Sequence, residues 1–133
     1  MKKGIFIFRR DLRIIDNTCL IKSLKTCDVV FPIFIFTPEQ ITNKNEYKSN
    51  NAIQFMIESL KDLDNELHKY DSKLHLFKGD NLIVLKEIIS NLDIKYIFFN
   101  KDYTPYALKR DSDINDLCKS NNIKLITKED YLL

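Results

Sequence analysis

Ile5-Phe6-Ile7-Phe8-Arg9-Arg10-Asp11-Leu12-Arg13 opens on four apolar residues in a row and closes on three of the chain's four arginines. A short, unbroken apolar run suits a strand buried on both faces, as in a parallel sheet covered by helices. Working outward, the same signature returns at residues 29–36, with Pro32 inside it, and more briefly at 96–99; the stretches 74–77 and 124–126, interrupted by His75 and Lys124, read as further strands. Proline removes a ladder hydrogen bond, so the second strand is expected to be locally irregular. Between the strands the period changes. Asp16 or Asn17 can cap a helix reaching residue 25, with Cys19, Leu20, Ser23, Leu24 and Cys27 along one side. Over residues 51–70, Ile53, Met56, Ile57, Leu60, Leu63, Leu67 and Tyr70 fall at steps of three and four, which marks a long amphipathic helix. Gly79-Asp80 turns the third strand into a helix through residue 90, and Pro105 is well placed to start another that runs to residue 120. The polar stretch 37–49 reads as a loop long enough to have a function of its own.

Five strands alternating with four helices imply an α/β fold: a Rossmann-like, three-layer domain whose parallel sheet has helices on both faces, spanning residues 1–133. In such sheets ligands sit outside the carboxyl ends of the strands, near the point where strand order reverses. That rule puts residues 9–16, 37–44, 79–81 and 100–106 on a functional rim.

Composition narrows the chemistry. The 133 residues carry 21 Lys+Arg against 19 Asp+Glu, a net charge of +2 that gives no strong case for direct nucleic-acid binding. Two glycines exclude Gly-rich phosphate loops. Cys19, Cys27 and Cys118 form no CxxC pair, so neither a disulfide framework nor a zinc site is expected, and a reducing compartment is. His68 and His75 have no ligand partner at metal-binding spacing, so no metal is expected. No Ser, His and Asp suggest a nucleophile with its base, so no catalytic residue is assigned. The apolar run after Met1-Lys2-Lys3-Gly4 is too short for a signal peptide or a membrane span. A cytoplasmic or nuclear protein with no membrane partner is therefore expected.

Two patches depart from this plain background. All positive charges outside the four arginines are lysines, so the cluster Arg9, Arg10, Arg13 is unusual within its own chain. Arginine is favoured where a planar fork must hold an anion or stack on a ring. The cluster reads either as a ligand-binding rim or as an internal lattice with Asp11, Asp16 and Asp111. The second patch is Asn100-Lys101-Asp102-Tyr103-Thr104-Pro105-Tyr106, followed by Lys109-Arg110-Asp111. Asn, Asp and Pro there can simply organise the loop and helix start. Two tyrosines near the rim could also stack on a planar ligand.

Arg9-Arg10-Asp11-Leu12-Arg13 with Asp16-Asn17 resembles the opening signature of the photolyase/cryptochrome family. Residues 55–63 are similar to that family's long second helix, residues 74–80 to its third strand and Gly-Asp turn, with Asn81 where the family often has proline. Residues 100–106 with Lys109-Arg110-Asp111 are similar to the rim of its fourth strand. The resemblance implies the family's amino-terminal, antenna-binding α/β domain. It also implies what lies outside this chain: the helical domain that holds the catalytic FAD, binds DNA and flips out the lesion. No FAD site and no unaided repair of pyrimidine dimers are expected of the chain, and DNA is met only through that domain, separately encoded or lost.

By the same resemblance, Arg10 and Asp102 match positions that contact a deazaflavin or flavin antenna, and Phe36 would line its pocket. Thr37 and Thr104 fall where deazaflavin binders tend to place acids, which weakens two polar anchors. Folate-type binders place a glutamate where this chain has Ala107, so deazaflavin or flavin stands ahead of folate. Arg9, Asp11, Arg13, Asp16 and Asn17 then organise the loop behind the site. An apolar docking face is expected near the sheet's carboxyl edge. The competing expectations are a stand-alone flavin- or nucleotide-binding module, and a truncated remnant without function.

Overall fold

The computed structural model describes residues 1–9, 12–37 and 50–129, with residues 50–53 as backbone only. Its elements run β1 (Lys3–Phe8), α1 (Thr18–Thr26), β2 (Val29–Phe36), α2 (Asn50–His68), β3 (His75–Lys78), α3 (Asn81–Leu92), β4 (Tyr96–Asn100), α4 (Pro105–Ser120) and β5 (Lys124–Lys128). The strands form one parallel sheet in the order β3-β2-β1-β4-β5. The predicted α/β architecture is the observed one.

The alternation of Ile and Phe in the central strands sorts two different cores. Ile5 and Ile7 of β1, Ile33 and Ile35 of β2 and Ile97 of β4 pack under Val84, Leu85 and Ile88 of α3 and Ile114 and Leu117 of α4. Phe6, Phe8, Phe34 and Phe98 point the other way, onto Cys19 and Leu20 of α1 and Met56, Leu60, Leu63 and Leu67 of α2. The central strands β1, β2 and β4 are thus covered on both sides, which is why their sequences are near-continuous apolar runs, whereas the edge strands β3 and β5 are partly exposed. At the opposite edge from the rim, Gly4 is needed because of close approach: a Cβ there would lie 2.8 Å from Cys27 Sγ and 3.0 Å from the Phe98 ring.

Three expectations change in detail. Strand β2 is unbroken through Pro32, which pairs in register with Phe6. Strand β3 begins opposite Ile33, so it demands no hydrogen bond from the prolyl nitrogen. Leu24 is 61% exposed instead of lining α1's inner side. The buried stripe of this nine-residue helix is narrow and centres on Ser23, and Leu24 lies about 100° round from that centre. Helix α2 stops at His68, because Asp71 takes a left-handed conformation and Ser72 N–H bonds back to the Leu67 carbonyl, and Tyr70 lies exposed beyond it. The stretch 38–49 lies outside the described residues.

Candidate functional site

The apolar rows of the sheet end in polar residues at the carboxyl edge. On the α3–α4 side, Ile5 and Ile7 are followed by Arg9, and Ile33 and Ile35 by Thr37. The Arg9 guanidinium carbon lies 3.9 Å from the centroid of the Phe99 ring, a stacked cation–π contact. Its Nη2 is 2.8 Å from Asp111 Oδ1 on α4. Arg110 Nε donates to that same oxygen at 3.2 Å, with its guanidinium 5.6 Å from the Tyr106 ring. One carboxylate is therefore divided between two arginines, and the three side chains are only 11–18% exposed.

Above this cluster opens a cleft of about 240 Å³, walled by Thr37 from the end of β2, Asp80, Asn81 and Leu82 from the start of α3, and Tyr106, Lys109, Arg110 and Asp113 from α4. A smaller space of about 20 Å³ continues down to Arg9 and Phe8. Helix geometry explains the wall. Residues 106, 109, 110 and 113 repeat at helical spacing on one side of α4, while Ala107, Ile114, Leu117 and Cys118 are turned into the core. Gly79, at φ +138°, makes the turn that delivers α3 to the cleft. Asp80 then caps α3, its Oδ1 accepting from Leu82 N–H at 2.9 Å and Ile83 N–H at 3.2 Å.

Strand order reverses between β1 and β4, and there the protein fills the crevice with its own side chains. Asn17 is fully buried and makes three bonds. It caps α1 by accepting from Leu20 N–H (3.2 Å), donates to the Arg13 carbonyl (3.0 Å) and accepts from Asn100 Nδ2 at the end of β4 (2.8 Å). This bond ties the β1–α1 loop to β4 on the α1 side of the sheet. Arg9 on Phe99 occupies the other side. The open volume lies between the first turns of α3 and α4.

The predicted site residues divide accordingly. Thr37, nearly buried, stands in the cleft wall. Phe36 faces the α1–α2 core, edge-on to Phe34 with ring centroids 4.9 Å apart, across the sheet from Thr37. Asp102 and Thr104 shape the turn into α4: Asp102 Oδ1 accepts from Thr104 N–H (3.4 Å), and Thr104 Oγ1 accepts from Ala107 N–H (3.1 Å). Arg10 and Asp11 lie outside the described residues. Arg13 donates to the Asp16 carbonyl at 3.4 Å, and Asp16 takes a left-handed turn, φ 57°. Sequence reasoning put Asn81 and Tyr106 on the rim but did not give Lys109, Arg110 and Asp113 a common wall. The polar stripe at 106, 109, 110 and 113 was the available signal. His75 packs edge-on against Phe31 with ring centroids 6.3 Å apart. Among the described residues no group of His, Cys, Asp and Glu could hold a metal, and no helix is long and apolar enough to cross a membrane.

Comparison with known proteins bears on this arrangement. The DNA photolyase family model matches residues 5–133. Cryptochrome-1 of Aedes aegypti is 32% identical over 136 residues, covering 98% of this chain and 25% of the mosquito protein. The (6-4)DNA photolyase of Arabidopsis thaliana is 30% identical, covering 95% of this chain and 24% of its own length. The chain thus spans about a quarter of the length of these curated relatives. Among solved structures, the archaeal photolyase of Sulfolobus tokodaii, described with two FAD molecules and the implication of a novel light-harvesting cofactor, is 45% identical. It superposes with a TM-score of 0.84 over 98% of this chain and 30% of its own. A bacterial class III photolyase from Agrobacterium tumefaciens shares the fold at 22% identity, with a TM-score of 0.85 over 96% of this chain and 26% of its own.

Proposed function

The chain belongs to the DNA photolyase family, and we propose that it works as that family's amino-terminal antenna domain, holding a light-harvesting chromophore at the carboxyl edge of its sheet. The observation that carries this reading is the cleft between α3 and α4, which opens on the edge where such folds take ligands. A 45% identical relative that is described with a second FAD supports a flavin-class occupant. At about 240 Å³ the cleft is smaller than the roughly 300–1,000 Å³ of a full drug-sized pocket, so it suits a ring system or one part of a larger chromophore. Deazaflavin or flavin is favoured over folate, since position 107 offers only a buried alanine and no carboxylate.

An antenna supplies excitation energy and needs no bond made or broken at its site. The work of the chain's residues is to hold and orient. Tyr106, 45% exposed on the cleft wall, offers a ring face for stacking. Arg110 offers a donor fork, and Thr37 a small polar floor. Repair of a DNA lesion would fall to a helical FAD-binding domain, supplied separately or as part of a longer polypeptide, and DNA would be met through it. Exposed Ile15, Tyr103 and Leu108, in the β1–α1 loop and around the start of α4, fit a surface that such a domain could cover.

Titrating riboflavin, FMN and FAD with the chain and following flavin fluorescence anisotropy tests the reading. Saturable binding to the wild type is expected, weakened on the order of 10-fold by Tyr106→Ala through loss of the stacking ring. No saturable binding of any of the three would overturn the proposal.

A further inference from the structure

We infer that the cleft carries a dedicated oxyanion subsite at Arg110, so that its occupant is an acidic, phosphate-bearing molecule and its neutral counterpart binds distinctly less well. The inference rests on the antenna reading for the identity of the occupant, and on separate observations for its charge. Arg110 stands in the wall of both the main cleft and the smaller space beneath it. Its Nε is engaged with Asp111 Oδ1, an oxygen already 2.8 Å from Arg9 Nη2. Its Nη2 is buried and has no hydrogen-bond acceptor among the described residues. A buried guanidinium nitrogen without an acceptor is costly, and a small turn of the side chain toward the cleft would bring it to an entering oxyanion, which would satisfy it with a charge-assisted bond.

The neighbouring charges are already committed. Asp80 accepts two backbone N–H groups at the start of α3, and Asp113 lies 3.3 Å from Lys109 Nζ on the outer part of the wall. Neither carboxylate is bonded to Arg110. Lys109 is 80% exposed and can swing toward an anion at the mouth. The remaining walls, Thr37, Asn81, Leu82 and Tyr106, carry no charge to repel a phosphate.

Two titrations separate this inference from the reading beneath it. In the first, FMN and riboflavin compete for the same ring site and differ by the phosphate. FMN is expected to bind on the order of 10-fold tighter at low salt, a preference abolished by Arg110→Met and retained by Arg110→Lys. In the second, inorganic pyrophosphate alone is titrated into ¹⁵N-labelled chain, with saturable shifts expected at the amides of Tyr106, Lys109 and Arg110. Equal binding of FMN and riboflavin, with no response to pyrophosphate, overturns the subsite and leaves the antenna reading standing. Pyrophosphate binding without any flavin binding does the reverse. Silence in both overturns both. The wild-type comparison needs no variant, so a poorly folding Arg110→Met cannot blur the result.

Discussion

Asn17 shows how much a single side chain of the Asp16-Asn17 pair can hold. Its amide closes the N-terminus of α1, anchors the loop at the Arg13 carbonyl and reaches Asn100 on the neighbouring strand, all without contact with solvent. Asn17→Ala removes a helix cap, costing ~0.5–2 kcal/mol. It also leaves Asn100 Nδ2 without this acceptor in a buried place, for a further ~1–3 kcal/mol. A total loss of about 1.5–5 kcal/mol in urea unfolding is expected. Asn17→Asp should lose less, because it keeps the acceptor for both Leu20 N–H and Asn100 and gives up the donor to Arg13. Equal losses for the two variants would contradict this division of labour. Cys118 offers a second test. Burial pushes its thiol from 9.0 up to about 11. The unfolded chain therefore releases this proton at lower pH than the folded one. The corresponding stability is present in full below about pH 9 and is lost as the pH rises through about 11. Comparing wild type with Cys118→Ala at pH 8 and at about pH 10.5, the variant's unfolding midpoint should fall less over that window. A parallel fall would refute a buried, neutral thiol.

At the scale of elements, the strands and helices were legible because each is written in one unambiguous period. Ile5 to Phe8 suits a strand covered twice, and Leu60, Leu63 and Leu67 fall on one side of a helix; all seven are buried in the structure. Capping was legible at α1, where Asn17 of the Asp16-Asn17 pair accepts a backbone N–H as expected, whereas Asp80 and Thr104 cap α3 and α4 without having been singled out for it. The site was less so. Phe36 and Thr37 are adjacent in sequence, yet strand alternation sends them to opposite sides of the sheet. Asp102 and Thr104, polar residues on the rim, are used by the turn into α4. The cleft wall, by contrast, comes from α3 and α4, two helices whose mutual approach is set by packing on the sheet. Only the spacing 106, 109, 110, 113 hinted at it, and nothing local to α4 says that Thr37 and Asn81 stand opposite. Leu24 and Pro32 misled for the same reason: the width of a contact and the reach of a neighbouring strand are tertiary facts.

For the molecule as a whole, the doubly wound sheet fills the reversal between β1 and β4 with Asn17, Asn100, Arg9 and Phe99, and opens its cleft beside them, between α3 and α4. On the proposed antenna role, the cleft holds a planar chromophore at one edge and the exposed Ile15, Tyr103 and Leu108 are left for a partner. The most direct test of the central claim is a ¹H–¹⁵N map of the chain titrated with FMN. The account predicts saturable shifts confined to the carboxyl edge, at Thr37, Asn81 and Tyr106 through Arg110, with the amides of Lys2, Lys95 and Lys124 at the opposite edge unmoved. Shifts centred on the exposed side of α1, or none at any flavin concentration, would contradict it.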